Sequence, residues 1–379
     1  MAEYLPRYLE SPVSKDLERK MVFVGGPRQS GKTTLAKHLC EEAGVDVGMR
    51  YLNWDAAEDR ENIIRERFPT GSGLLVLDEI HKYSRWRQVV KGLFDKRGGE
   101  LRILVTGSAR LDHYRRGGDS LQGRYHLFRL LPLSCAELGA TKLSTVKDLL
   151  AYGGFPEPFM LQSAKESRRW SREYRSRAVR GDLSDLEKVQ DVGLIERMTL
   201  RLPDLVGSPL SLNALREDLQ VSHQSVSRWL QMLENLYQIF RIYPFGAPRV
   251  RAVKKESKHY HLDWTVVPEM GPRFENLVAC HLLKWVFFLQ DSEGRELDLR
   301  YFRDVDKREV DFVVIEDQVP MHFVECKSSG KVQSPSLRYL KLRFPAVPAT
   351  QVTLEEDVDL TTKDGIRICS AHLFLKDFI

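Results

Sequence analysis

The chain has 379 residues, a formal net charge of +5, and 42% hydrophobic and 29% charged residues; that length exceeds one compact core and calls for two to four domains. No apolar run reaches the roughly 18–20 residues of a membrane span, the opening MAEYLPRYLESPVSK has no apolar leader, and the five cysteines are scattered singly with no C-x-x-C pair to hold zinc. These features point away from a membrane protein, a disulfide scaffold and a zinc module, and toward a cytoplasmic protein whose modest positive charge permits a nucleic-acid partner.

In chain order, KMVFVGGPRQSGKTTLAKHLC runs from a short apolar strand, Met21 to Val24, through a glycine-rich turn into a helix. Gly26, Gly31, Lys32 and Thr33 satisfy G-x-x-x-x-G-K-[ST], a loop whose backbone N–H groups cradle phosphate oxygens at a helix N-terminus. Gly26, Pro27, Arg28, Gln29, Ser30, Gly31, Lys32, Thr33 and Thr34 are therefore expected to bind a nucleoside triphosphate. Lys32 would reach the β- and γ-phosphates and the Thr33 hydroxyl would ligate Mg2+.

A second apolar run, GLLVLDEI, delivers Asp78 and Glu79 at a strand tip, Asp78 for Mg2+ and Glu79 to polarise the attacking water. A third, LRILVTGSAR, ends in Thr106 and Ser108, positions suited to sensing the γ-phosphate. Three buried-type strands separated by helical stretches predict a parallel sheet covered on both faces. Arg124, in SLQGRYHLFRLLPLS, is either a cation that neutralises transition-state charge across a subunit boundary or a surface arginine paired with a carboxylate. Arg110, Arg115 and Arg116 compete for the first role.

Residues 136–205 read as helical, with a turn-rich break at YGGFPEP and an arginine-rich stretch, KESRRWSREYRSRAVR. That stretch is either a solvated helix with i,i+4 ion pairs or a phosphate-facing surface. Next, Leu212, Leu215 and Leu219 share one helical face and Val226, Leu230 and Leu233 another, with Ser222 as N-cap of the second helix. This is a helix-turn-helix pattern, although Gln220 stands in the turn where glycine is common. Its exposed face would carry His223, Gln224, Ser225, Ser227 and Arg228, side chains suited to phosphates and base edges. The strand-like YQIFRIYPF and KHYHLDW flank GAPRVRAVKKESK, a basic wing holding Arg249, Arg251, Lys254, Lys255 and Lys258. A plain packing or protein-docking module is the alternative.

From Gly271 the elements read helix, three strands, helix, strand. Glu275 falls on the first helix, Asp311 on the second strand, and Glu325 and Lys327 on the third, where alternation puts Phe323, Glu325 and Lys327 on one face. Carboxylates converging at a sheet edge repel unless a cation lies between them. Asp311 and Glu325, with Glu275, are thus expected to hold Mg2+, while Lys327 acts on a metal-bound water and the phosphate. A surface ion pair between Glu325 and Lys327 is the alternative.

The P-loop, VLDEI, VTGSARL, SLQGRYH, GGFPEP, VSRWLQMLENLY and the terminal FENLVA, EVDFVV and VECKSS occur in this order over nearly the whole chain. In this the chain resembles a prokaryotic family of AAA-type ATPases with a C-terminal domain of formerly unknown function, and its terminal motifs resemble the PD-(D/E)XK restriction-endonuclease superfamily. The resemblance implies an α/β protein. It would comprise an AAA+-like P-loop ATPase core (1–135), a helical lid (136–205), a winged helix (206–263) and a restriction-endonuclease-like α/β domain (264–379). It implies ATP and Mg2+ as cofactors, duplex or branched DNA as partner, and a homo-oligomer, most plausibly a hexamer. The layout is similar to that of Holliday-junction branch-migration motors. The rival expectations are an ATP-controlled switch of a defence nuclease and a DNA-binding regulator with an inert nuclease fold.

Overall fold

The computed structural model describes residues 4–107, 121–182, 191–246, 256–330 and 332–379, and the chain divides into two compact units, Met1–Pro132 and Leu133–Ile379. Ser108, Arg110, Arg115, Arg116, Arg249, Arg251, Lys254 and Lys255 lie outside the described residues.

In the first unit a helix α1 (Glu10–Leu17) precedes β1 (Met21–Gly25), from which the phosphate-binding sequence leads into α2 (Lys32–Glu42). Four further strands follow: β2 (Tyr51–Asn53), β3 (Gly73–Asp78), β4 (Leu101–Thr106) and β5 (Tyr125–Arg129). They form one sheet in the order β2-β3-β4-β1-β5, and every neighbouring pair is parallel. Parallel strands are covered on both faces, so their sequences run apolar without alternation. Leu74, Leu75, Val76 and Leu77 are all buried accordingly, each contributing about 1.5–3 kcal/mol through loss of apolar surface. The three strands legible in the sequence are the inner ones. β2 and β5 sit at the edges, where half-buried side chains leave a weaker apolar signal. The chain leaves β1, reaches the far edge at β2, and later returns past β1 to β5, so the order reverses at β1. Ligands of open α/β sheets bind at such a reversal, beyond the carboxyl ends of the strands.

The second unit begins with helices Leu143–Tyr152, Pro156–Leu161, Ala164–Arg177 and Val192–Arg201. In the arginine-rich helix, Trp170 and Tyr174 stack on each other and pack against Phe155. Two of its arginines pair with near neighbours along the helix, Arg169 with Glu166 and Arg177 with Glu173. The helix pair α3 (Leu212–Leu219) and α4 (His223–Asn235) follows. Its core is Leu215, Val226, Trp229, Leu230 and Leu233, packed with Ile195, Met198 and Leu202. Ser222 caps α4 by accepting from the Ser225 N–H. Gln220 adopts φ +55, the left-handed conformation that glycine supplies more cheaply at a helix C-terminus.

Strands β6 (Ile239–Pro244) and β7 (Lys258–His261) pair antiparallel. After the long helix α5 (Met270–Glu293) come β8 (Leu297–Arg303), β9 (Glu309–Glu316) and β10 (Val319–Lys327). Helix α6 (Pro335–Arg343), β11 (Ala349–Thr353), β12 (Asp359–Thr361), β13 (Ile366–Ser370) and α7 (Ala371–Leu375) complete the chain. The helix, three strands, helix, strand order read from the sequence is present from α5 to β11. β12, β13 and α7 were not anticipated, although Asp364-Gly365 between the two strands is a strong hairpin signal. All eight strands form one mixed sheet, β12-β13-β11-β10-β9-β8-β6-β7. The strands flanking the basic wing thus belong to the same sheet as the C-terminal strands, because Tyr243 of β6 pairs with Arg300 of β8.

Candidate functional site

The first cluster lies at the carboxyl ends of β1, β3 and β4. Gly26 has φ +146, and a Cβ there would collide with the Leu130 carbonyl oxygen, so the loop needs glycine for both conformation and space. Gly31, at φ +97, turns the chain into α2. Lys32 is buried, and its ammonium donates to the carbonyls of Pro27 at 2.6 Å and Gly26 at 3.1 Å. Thr33 and Thr34, in the first turn of the helix, are exposed.

Asp78, at the end of β3, is buried and accepts hydroxyl donors from three elements. Thr33 Oγ1 donates to Oδ2 at 3.0 Å, Tyr51 donates to the same oxygen, and Thr106 donates to Oδ1. Charge-assisted hydrogen bonds of this kind are about twice as strong as neutral ones and fix the carboxylate's orientation. Burial, and next the Asp78 charge, push the Tyr51 phenol well up, so it stays a donor. Glu79 follows in the left-handed region at φ +56, and its N–H donates to the Thr106 carbonyl. Its carboxylate lies 3.4 Å from Lys82 Nζ and 3.8 Å from His81 Nε2. Burial lowers the His81 pKa.

These residues fit Mg2+: a buried carboxylate 3.0 Å from a threonine hydroxyl is the hard oxygen pair that ion takes. Arg7, which carries no motif, is also buried here. Its guanidinium donates to the Ser30 carbonyl at 2.5 Å and the Leu131 carbonyl at 2.7 Å, tying the phosphate loop to the segment after β5. Arg124 lies at the other end of β5 from Leu131, its Nε donating to Asp95 at 2.8 Å.

On the second unit, His223, Gln224 and Arg228 are exposed along the first half of α4, while Ser225 and Ser227 are half-buried. Ser225 is engaged in the cap with Ser222.

The third cluster lies where β9 begins and β10 ends. The antiparallel register pairs Val324 with Phe312, and one further residue sets Glu325 opposite Asp311 on the same side of the sheet. The Cys326 N–H donates to Asp311 Oδ2 at 2.8 Å. Glu325 is buried, with Oε1 2.8 Å from Lys327 Nζ and accepting from Ser334, the N-cap of α6. Its Oε2 is buried with no hydrogen-bond partner. Burial, and then Glu275 and Glu325, push the Asp311 pKa well above the usual carboxylate range.

Lys258 departs from expectation. The sequence groups it with the exposed basic wing, yet its side chain is fully buried at the start of β7. Nζ lies 2.6 Å from Glu309, 3.1 Å from Glu275 and 3.7 Å from Asp311, and the Tyr260 hydroxyl also donates to Glu275 at 2.7 Å. Burial works against the charge on Lys258, but Glu275, Asp311 and Glu309 outweigh it and raise its pKa. Among the described residues no group of three or more His, Cys, Asp or Glu side chains is arranged to hold a metal ion. Glu275, which the sequence groups with Asp311 and Glu325, accepts hydrogen bonds from Lys258 and Tyr260. Glu309 was overlooked although it stands two residues before Asp311 on the same strand.

Comparison with known proteins agrees with the first unit's architecture. Residues 18–139 match the family model described as an AAA domain, so an α/β AAA+ core with a five-stranded parallel sheet precedes a mixed α/β domain. Residues 143–271 and 270–374 match two domains of unknown function, DUF8612 and DUF4143. Among curated relatives, an uncharacterized protein of Haemophilus influenzae is 24% identical over 76% of this chain and 78% of its own length. An uncharacterized protein of Mycobacterium tuberculosis is 24% identical over 89% of this chain and 82% of its own. Among solved structures, the Thermotoga maritima RuvB Holliday junction branch migration motor is 16% identical over 62% of this chain and 87% of that chain, with a TM-score of 0.31. The Aeropyrum pernix ORC1 protein in complex with DNA is 12% identical over 74% and 95%, with a TM-score of 0.36. No described helix is long and apolar enough to cross a membrane.

Proposed function

We propose that this chain hydrolyses ATP and uses the cycle to act on DNA as a homo-oligomer, in the manner of a ring-forming remodeller. The observation that carries the ATPase reading is the convergence of Lys32, Thr33, Asp78 and Glu79 at the reversal point of the parallel sheet. In this reading the loop N–H groups and Lys32 bind the phosphates, and Lys32 exchanges its carbonyl partners for phosphate oxygens. Thr33 and Asp78 hold Mg2+, which supplies charge neutralisation at the transferred phosphoryl group when bound. Glu79 accepts a proton from the attacking water, its carboxylate lying 3.4 Å from the Lys82 ammonium, which also donates to Asp55 at 2.6 Å.

The DNA reading is supported by the polar face of α4, with His223, Gln224 and Arg228 exposed, and by the basic wing sequence that follows. The C-terminal elements are read as a restriction-endonuclease-like fold that clamps DNA, supported by the helix-strand order and by the Asp311, Glu325 and Lys327 arrangement.

The test is steady-state ATP hydrolysis with and without duplex and branched DNA, for the wild type, Lys32→Ala and Glu79→Gln. DNA-stimulated turnover that Lys32→Ala abolishes, with Glu79→Gln still binding ATP but not hydrolysing it, is the expected result. A wild type that holds one nucleotide without turning it over points instead to an ATP-controlled switch. Hydrolysis by Glu79→Gln at the wild-type rate removes the catalytic role of Glu79.

A further inference from the structure

The carboxylate cluster of the second unit contains its own cation. Glu275 arrives from α5, Glu309 and Asp311 from the start of β9, and Glu325 from the end of β10. Buried or half-buried carboxylates this close repel one another unless a positive charge lies between them. A divalent ion is one solution, and a tethered ammonium with three donors is another. The Lys258 side chain has no exposed surface and lies within 4 Å of three of these four carboxylates, 2.6 Å from Glu309, 3.1 Å from Glu275 and 3.7 Å from Asp311. Arg303, 3.5 Å from Glu309, adds a second positive charge on the outer side.

We infer that Lys258 is the resident cation of this cluster, its ammonium standing where a divalent ion would otherwise neutralise Glu275, Glu309 and Asp311, so that the folded cluster takes up no metal. The inference concerns the second unit alone and is independent of ATP hydrolysis in the first. A metal ion between these carboxylates would have to displace the ammonium, whose side chain has no exposed surface, or sit beside it as a second cation against carboxylates that are only partly exposed. Both are costly in a desolvated pocket. Glu325 is the member Lys258 does not reach. Lys327 and Ser334 occupy its Oε1, and only Oε2 is left without a donor. That oxygen and Asp311 Oδ1, whose nearest cation is the Lys258 ammonium at 3.7 Å, are two of the about six oxygen positions that Mg2+ or Mn2+ requires. Removing the ammonium changes this, because Asp311 and Glu325 are cross-strand partners and would then keep only the half-exposed Lys327 ammonium as counter-charge.

The experiment is Mn2+ titration of the nucleotide-free, full-length protein, followed by electron paramagnetic resonance for bound ion and by thermal unfolding. It compares the wild type, Asp311→Asn, Lys258→Met, and Lys258→Met with Asp311→Asn. The wild type and Asp311→Asn should bind the same amount of Mn2+, since whatever ion the phosphate loop takes is common to both. Lys258→Met, which keeps the side chain's bulk and removes its charge, should unfold at a lower temperature and bind one additional Mn2+. At Mn2+ roughly a hundredfold above its dissociation constant, its unfolding temperature should rise by about 5–10 °C, a gain the double variant loses. Mn2+ bound by the wild type and lost in Asp311→Asn overturns the inference, even if Lys258→Met does not fold. So does a folded Lys258→Met that gains no ion.

Discussion

His281 provides a quantitative test of the packing in the second unit. It lies on α5 with both ring nitrogens engaged: the Cys135 N–H donates to Nε2 at 3.0 Å, and Nδ1 lies 2.8 Å from the Leu277 carbonyl. An N–H donor at Nε2 requires that nitrogen to be bare, so Nδ1 carries the proton and the imidazole is neutral. Protonating it would set N–H against N–H in a site that is 2% exposed. Burial is the main cause that lowers its pKa from 6.5 to about 4, with Lys284 adding to the decrease and the Leu277 bond and Glu137 opposing it.

Because the unfolded chain binds the proton more readily, the contribution of His281 is fully present above pH 6.5 and is lost as pH falls toward 4. At 1.36 kcal/mol per unit, the complete loss is about 3 kcal/mol, of which about 2 kcal/mol falls between pH 7.5 and 5.0. Urea unfolding of the full-length protein at these two pH values, for wild type and His281→Gln, measures it. His259, also buried with its pKa lowered to about 4, contributes equally to both proteins, so the difference in pH dependence isolates His281. Parallel pH profiles for the two proteins would show that His281 is not held neutral by its surroundings and would refute the argument.

Gly26→Ala should weaken nucleotide binding at least tenfold and destabilise the first unit by about 1–3 kcal/mol, because the added Cβ meets the Leu130 carbonyl at a φ that side chains avoid. Nucleotide titration and thermal unfolding check both effects. Replacing Arg228 by alanine should weaken DNA binding and reduce the slope of log affinity against log salt by about 1, the signature of one lost phosphate contact. An unchanged slope, measured by fluorescence anisotropy over a salt series, would move the DNA surface away from α4.

The parts of this molecule that were legible in the sequence are those fixed by short-range rules. The phosphate loop is written within eight positions because a tight turn, a helix N-terminus and one lysine suffice to specify it. Asp78 and Glu79 were found because an apolar run that ends in acids marks a buried strand tip, and α3 and α4 because helical periodicity survives without tertiary context. The Asp311 and Glu325 pairing was legible as far as each strand's alternation goes.

What only the tertiary structure decided are the contacts made across the sheets. Tyr51 reaches Asp78 because β2 pairs with β3 in a register that no local pattern encodes. Arg7 clamps the phosphate loop from a segment that has no motif at all. Lys258 is the clearest case: a lysine at the end of a basic stretch reads as a solvated charge, since burying one alone is prohibitive. Its fate turned on whether β7 would bring it against Glu275, Glu309 and Asp311, which are 17 to 53 positions away in the chain. The antiparallel pairing of β6 with β7 and the parallel pairing of β6 with β8 assemble that environment, where the carboxylates keep a buried ammonium charged.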